Sequence, residues 1–184
     1  EKSTLQSYDV PVAPFLVIES ENDIHKAVDC YGFPSIMKTA TGGYDGKGQW
    51  IIKSTDDIPN AIETWKNAGK DMIIEKFIPF SKELSVIVAR NLQGQTKTFP
   101  VAENIHVNNI LHQSIVPARI TVEQQEKAEK ISLKVAESLQ VIGLIAIEMF
   151  LTNDGEIIVN ELAPRPHNSG HYSMDACITS QFEQ

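Results

Sequence analysis

Cysteine is nearly absent. Only Cys30 and Cys177 occur in 184 residues, far apart and with no C-x-x-C. A disulfide scaffold and a cysteine zinc site are thereby excluded, and the two thiols read as idle side chains of a reducing, cytoplasmic compartment. No apolar run approaches the roughly 20 residues a membrane-spanning helix needs, and no signal peptide is visible. Mean hydropathy is −0.16. Basic residues are scarce, 16 Lys and Arg against 24 Asp and Glu, for a formal net charge of −8. That balance lacks the broad basic face of a sequence-independent nucleic-acid binder, so neither nucleic acid nor membrane is expected as a partner. A small anionic ligand stays open, because a few placed lysines outweigh the global charge locally. Ten glycines and no sustained heptad exclude collagen and coiled coil. What remains, 42% hydrophobic and 22% charged, is ordinary globular composition. The length suits one large domain or two small ones.

Residues 9–14, with Pro11 and Pro14, read as an extended lead-in. Strands are predicted over 15–18, 35–39, 50–53, 72–77, 83–90, 96–102, 143–151 and 156–162. Helices are predicted over 21–31, 56–68 and 122–140. The last is opened by the Thr121/Gln124 capping box and carries the stripe Ala128, Ile131, Val135 and Leu139. No element is assigned between 103 and 120. Ser180 and Glu183 have capping-box spacing, so a further helix is expected to open there, as in a piece of a longer protein. Hairpin-forming strands dominate, which points to an α+β fold with mainly antiparallel sheet.

Four segments carry chemistry. Residues 41–49 hold Gly42, Gly43, Gly46 and Gly48 around Lys47, with Lys38 on the preceding strand. Glycines let backbone N–H groups approach phosphate oxygens closely, and two ammonium groups would add charge. A plain hairpin loop has the same composition, and the pattern is neither a P-loop nor a dinucleotide fingerprint, since Gly48 follows Lys47 and a strand comes next. The second segment is the hairpin around Asn153-Asp154-Gly155. With Asp154-Gly155 as a two-residue turn, Glu148 falls directly opposite Glu161; a turn at Asn153-Asp154 makes them diagonal neighbours. A three-residue loop breaks the parity unless a bulge restores it. Two carboxylates on one face of apolar strands call for a divalent cation, Mg²⁺ if phosphate is near, and their repulsion without it should raise at least one pKa. Asn160 lies beside the pair. An exposed edge hairpin with solvated carboxylates is the alternative. Third, Pro164-Arg165-Pro166-His167-Asn168-Ser169-Gly170-His171 is a stiffened loop of anion-binding side chains; its histidines lack a third ligand at zinc spacing. Fourth, Glu75-Lys76-Phe77-Ile78-Pro79-Phe80 is a strand end able to flank a flat base, with Glu83 available to ribose hydroxyls.

Together, T-G-G-Y-D-G-K-G-Q (41–49), E-K-F-I-P-F-S-K-E-L-S-V (75–86) and N-E-L-A-P-R-P-H-N-S-G-H (160–171) resemble the ATP-grasp superfamily. Within it the chain is similar to the N5-carboxyaminoimidazole ribonucleotide synthases of purine biosynthesis. The resemblance implies an ATP-grasp fold: a lead-in over 1–13, a small lid subdomain over 14–75, and a larger sheet subdomain over 76–184. It implies ATP and Mg²⁺ as cofactors. Lys38, Gly43, Gly46, Lys47, Gln49, Glu75, Lys76, Phe77, Ile78, Glu83 and Asn160 would serve ATP, and Glu148 and Glu161 the metal. Tyr44, Asp45, His167 and Asn168 would contact aminoimidazole ribonucleotide. Arg165 would sit by bicarbonate and the γ-phosphate, which with Lys47, His167 and Asn168 makes the catalytic set. The implied reaction is ATP-dependent carbon–nitrogen ligation through carboxyphosphate. A sibling formyltransferase or carboxylase, or a nucleotide-binding module without chemistry, are the alternatives. The resemblance also implies flanking domains, so the fragment alone is expected to be inactive. A homodimer is one assembly open to the full-length enzyme. Residues 40–49 are expected to be mobile without nucleotide.

Overall fold

The computed structural model describes residues 1–40 and 48–184. In chain order the elements are α1 (Lys2–Ser7), β1 (Phe15–Ile18), α2 (Glu21–Tyr31), β2 (Ser35–Thr39), β3 (Gln49–Ile52), α3 (Ile58–Ala68), β4 (Met72–Lys76), β5 (Phe80–Arg90), β6 (Thr96–Thr98), β7 (Ala102–Val107), β8 (Ile110–Ile115), α4 (Val122–Ser138), β9 (Gly143–Thr152), β10 (Ile157–Ala163) and α5 (Ser173–Ala176). They divide into two compact units. One is Ala13–Ile78 with Asn108–Ile110; the other is Glu1–Val12, Pro79–Val107 and Leu111–Gln184.

The smaller unit is a four-stranded sheet ordered β1-β4-β2-β3, with antiparallel pairings throughout. The period-2 alternation of β2 and β4 puts Met37, Met72 and Ile74 on one face, all fully buried with Ile24, Ala27 and Ile52. Helices α2 and α3 supply the other side of that core. Helix α2 starts where Asp23 Oδ2 accepts the Ser20 N–H at 2.8 Å. A 3-10 turn at Thr55–Asp57 precedes α3, so the helix predicted from 56 begins at Ile58, with Pro59 in its first turn.

The larger unit is a six-stranded sheet ordered β10-β9-β5-β7-β8, with β6 also on β5. Leu84, Val86 and Val88 of β5 and Ile145, Ile147 and Met149 of β9 share a core with Ala128, Val135 and Ala136 of α4. Each large side chain so buried contributes about 2 kcal/mol. Alternation turns Glu83, Ser85 and Ile87 of β5 and Ala146, Glu148 and Phe150 of β9 to the opposite face. Part of that face is covered by Tyr172 and Cys177, which pack on Ile87, Phe99, Leu144, Ala146 and Ala163. The α+β fold with mainly antiparallel sheet is the expected one.

The structure corrects several element readings. The lead-in contains α1, whose Leu5 is 1% exposed and part of the α4 core. The strand read over 96–102 ends at Thr98, because Pro100 has no N–H for the ladder, and β7 starts at Ala102. The unassigned stretch after 103 forms the β7–β8 hairpin, turned by Asn108 and Asn109 with φ of 53° and 62°, the residue type that tolerates a two-residue positive-φ turn. At the end of the chain the Ser180 N–H does reach Glu183 Oε2 at 2.7 Å, but no helix forms over the described residues there. Helix α4 stops at Ser138 rather than 140.

Candidate functional site

The β9–β10 hairpin places the central pair. Its loop has three residues, not two: Thr152 N–H bonds Glu156 O at 2.9 Å, and Gly155 N–H bonds Thr152 O at 3.1 Å. Gly155 sits at φ 87°, the left-handed position that closes such a loop. The register then runs Leu151↔Ile157, Phe150↔Ile158 and Met149↔Val159, out of step with a Glu–Glu pair. A bulge at Asn160 shifts it, and Glu148 falls directly opposite Glu161. The bulged carbonyl is held by Lys2 Nζ at 3.0 Å. Directly opposed residues have Cβ atoms about 5 Å apart, so two carboxylates meet on one sheet face.

The loop after β10 turns onto that face. His167 Nε2 lies 2.8 Å from Glu148 Oε1. His167 Nδ1 is 2.8 Å from Ser169 Oγ and also accepts the Ser169 N–H at 3.3 Å. Ser85 Oγ donates to Ser169 Oγ at 2.7 Å and accepts from Asn104 Nδ2 at 2.9 Å. Ser114 Oγ donates to Asn104 Oδ1 at 2.9 Å. Each hydroxyl accepts one hydrogen and passes its own along, so the chain Asn104–Ser85–Ser169 ends on His167 Nδ1 and leaves Nε2–H to donate to Glu148. Ser85, Asn104 and Ser169 are buried, so this is a satisfied interior network and not a solvated turn.

The charges follow from this geometry. Burial pushes the Glu148 carboxyl up, but the hydrogen bond from His167 and the positive charges around it, His106 and Arg165 among them, outweigh it, and Glu148 is held below its ordinary value. The expected rise from Glu–Glu repulsion is thus reversed at Glu148, because cationic groups already surround it. Glu83 Oε2 lies 2.9 Å from His106 Nδ1. That bond, against the opposing effect of burial and with the charges of Glu83 and Glu148, raises the His106 pKa. Beside Glu83, Phe80 and Phe150 stack with centroids 4.5 Å apart. Among the described residues no group of three or more His, Cys, Asp or Glu could hold a metal ion by itself. Two carboxylates fit Mg²⁺ where phosphate oxygens and waters complete an octahedron, and Glu148 is in the ionised state such a cation requires.

Arg165 is exposed and its Nη1 donates to Pro166 O at 3.0 Å. Asn168 is exposed and opens the 3-10 turn Asn168–Gly170. In the smaller unit, Lys38 Nζ pairs with Glu75 Oε2 at 2.9 Å, and Gln49 is the register partner of Lys38. Glu75, 3% exposed, therefore turns its side chain to a lysine. The Lys76 N–H donates to Pro14 O at 2.8 Å; Phe77 and Ile78 follow the strand end. Gly43, Tyr44, Asp45, Gly46 and Lys47 lie outside the described residues, as does most of the loop expected to be mobile.

Ser85, Asn104, His106 and Gln181 were not read as site residues from the sequence. Ser85 left a faint signal, a polar residue inside Leu84–Val88. Asn104 and His106 depend on which strands become neighbours, and Gln181 on how the end of the chain folds back onto the 164–171 loop.

The ATP-grasp domain profile matches residues 3–182. The chain is 50% identical over all 184 residues to the N5-carboxyaminoimidazole ribonucleotide synthase of Bacillus subtilis (strain 168), covering 48% of that protein. The solved N5-carboxyaminoimidazole synthetase of Staphylococcus aureus complexed with ADP superposes with a TM-score of 0.93 at 41% identity, covering 100% of this chain and 48% of that one. An Aspergillus clavatus synthase in complex with ADP and 5-aminoimidazole ribonucleotide gives 0.89 at 31% identity, covering 99% and 47%. The chain thus spans about half the length of the relatives it matches. No helix among the described residues is long and apolar enough to cross a membrane. By its profile match over nearly its whole length and by its two antiparallel sheets, the chain belongs to the ATP-grasp family.

Proposed function

We propose that this chain is the ATP-grasp portion of a ligase that carboxylates the amine of aminoimidazole ribonucleotide with bicarbonate and ATP. The observation that carries the reading is the bulge-restored opposition of Glu148 and Glu161, with His167 on Glu148 at 2.8 Å. The names of the relatives supply the substrate class. The smaller unit serves as the lid subdomain and the larger as the sheet subdomain. Lys38 holds phosphate oxygens, oriented by Glu75. Gly43, Gly46, Lys47 and Gln49 complete the phosphate loop. Because the Lys76 amide is already used by Pro14, the adenine hinge uses the Lys76 carbonyl and the main chain of Phe77 and Ile78. Glu83, beside His106, takes the ribose hydroxyls. Glu148 and Glu161 would hold Mg²⁺, which would supply charge neutralisation on the transferring group, and Asn160 serves ATP beside them. Arg165 draws bicarbonate to the γ-phosphate, and Tyr44, Asp45, His167 and Asn168 orient the aminoimidazole.

A bicarbonate oxygen then bonds to the γ-phosphorus as the bond to ADP breaks, giving carboxyphosphate. Its breakdown yields phosphate and CO₂, which the exocyclic amine captures with loss of a proton. The protein's part is positioning and charge stabilisation, since no protein nucleophile is needed. The test is ADP release by the full-length protein. Release should require aminoimidazole ribonucleotide, bicarbonate and Mg²⁺ together. Release driven equally by formate, or indifferent to the ribonucleotide, would overturn the reading.

A further inference from the structure

Gln181 is 1% exposed, lies fourteen residues beyond His167 and belongs to no helix or strand. A buried carboxamide needs partners for an acceptor and two donors. Here both ends of the amide are spent on one residue. Gln181 Oε1 accepts the His167 N–H at 2.9 Å, and Gln181 Nε2 donates to His167 O at 2.8 Å. The Gln181 main chain is fixed as well: its N–H donates to Ser173 Oγ at 2.9 Å, and Ser173 Oγ donates to Gly170 O at 2.6 Å. Gly170 has no side chain because none fits. A Cβ there would meet Ile87 Cδ1 at 2.1 Å and Gln181 Oε1 at 2.7 Å. Gly170 is thus closed in by Ile87 of β5 and by the Gln181 amide.

We propose that Gln181 is a positioning residue that acts through His167. Holding the N–H and the C=O of one residue, on either side of its Cα, removes the main-chain freedom on which the imidazole direction depends. The ring then keeps Nε2 on Glu148 and Nδ1 on Ser169 without sampling other rotamers. An ordinary core amide would staple the C-terminal segment and affect stability alone; the two-sided grip on the one histidine that touches Glu148 is the feature that separates the roles. The catalytic consequence rests on the proposed function; the geometric one does not.

The experiment uses the full-length protein with Gln181→Met, which removes both hydrogen bonds at nearly constant volume, alone and combined with His167→Ala. In a crystal structure of Gln181→Met the His167 Nε2–Glu148 contact should open beyond hydrogen-bond distance. In turnover, kcat should fall about 10-fold or more with the KM for ATP changed less than about 2-fold, the signature of misplacement rather than lost binding. In the His167→Ala background, Gln181→Met should add less than about a further 2-fold, since a residue acting through His167 has nothing left to position. A contact retained at 2.8 Å, or losses that multiply, would overturn the proposal. If the wild type shows no bicarbonate-dependent ADP release, the functional reading falls and the crystal structure alone decides on Gln181. Should Gln181→Met not fold, Gln181→Glu replaces it. That variant keeps the acceptor for the His167 N–H and loses the donor to His167 O. It should show a displaced ring and a smaller loss of kcat, and an undisplaced ring with unchanged kcat would overturn the proposal.

Discussion

Replacing Ser85 by Ala cuts the hydrogen-bond chain behind His167 at its middle. Ser85 is 2% exposed and its hydroxyl serves two partners, Ser169 Oγ and Asn104 Nδ2. Each lost bond is worth about 1 kcal/mol net, and a buried group left without its partner costs about 1–3 kcal/mol. Asn104 keeps its bond from Ser114 but loses the outlet for Nδ2–H, while Ser169 retains His167. Two bonds and one orphaned donor sum to about 3 kcal/mol. The relatives are about twice as long as this chain, and for a protein of that size each kcal/mol moves the melting temperature by about 1–2 °C, so Ser85→Ala should melt about 3–6 °C lower. The assay is thermal unfolding of the full-length protein with and without Ser169→Ala. Because the two hydroxyls share one bond, the double variant should lose about 1 kcal/mol less than the two single losses together. A melting temperature within about 1 °C of wild type, or strict additivity, would show that the network does not hold the loop on the sheet.

Three further outcomes are expected. Glu161→Gln keeps the shape of the hairpin and removes one charge opposite Glu148. It should leave the melting temperature within about 2 °C while lowering kcat about 100-fold and weakening Mg²⁺-dependent ATP binding; titration of ATP with and without Mg²⁺ checks this, and identical curves in wild type and variant would contradict the metal pair. Glu103 is bound by the Arg119 guanidinium and by Lys82 Nζ at 2.9 Å, and these hold its carboxyl down at about 2 against the opposing effect of burial. A carboxyl with a lowered folded-state pKa stabilises above its unfolded value and loses that contribution as pH falls. Stability should therefore decline from about pH 4.5 toward pH 2, and Glu103→Gln should flatten this part of the stability–pH curve in acid unfolding measurements. Gly170→Ala drives a methyl group into Ile87 and Gln181 and should destabilise by about 1–3 kcal/mol, read by chemical denaturation; a neutral variant would mean that the loop shifts freely.

Local chemistry was legible along most of the chain. The Thr121/Gln124 box forms with reciprocal bonds of 3.0 and 3.2 Å, because a cap is a matter of four consecutive residues. The Lys38 and Glu75 segments, the 164–171 loop and the opposed glutamates were singled out from residue type and spacing. The hairpin was half legible. Thr152–Glu156 promised a turn, but whether two residues or three occupy the loop depends on the twist of strands whose partners lie far away in sequence. Asp45, Lys47 and their neighbours lie outside the described residues.

By itself the sequence determined most of the helices and strands, though not α1, β7, β8 or α5, the α+β class, the absence of a long apolar helix, and the segments whose residue types suit phosphate and a divalent cation. These follow from periodicity, caps and turn residues, which act over a few positions. Tertiary structure alone decided the bulge at Asn160 that aligns Glu148 with Glu161, the run from Asn104 through Ser85 and Ser169 to His167, and the grip of Gln181 on that histidine. Each joins residues from different strands or loops, and a side-chain period of two makes a one-residue shift move a carboxylate to the opposite face. Such a choice is settled only when packing of the whole sheet selects one register.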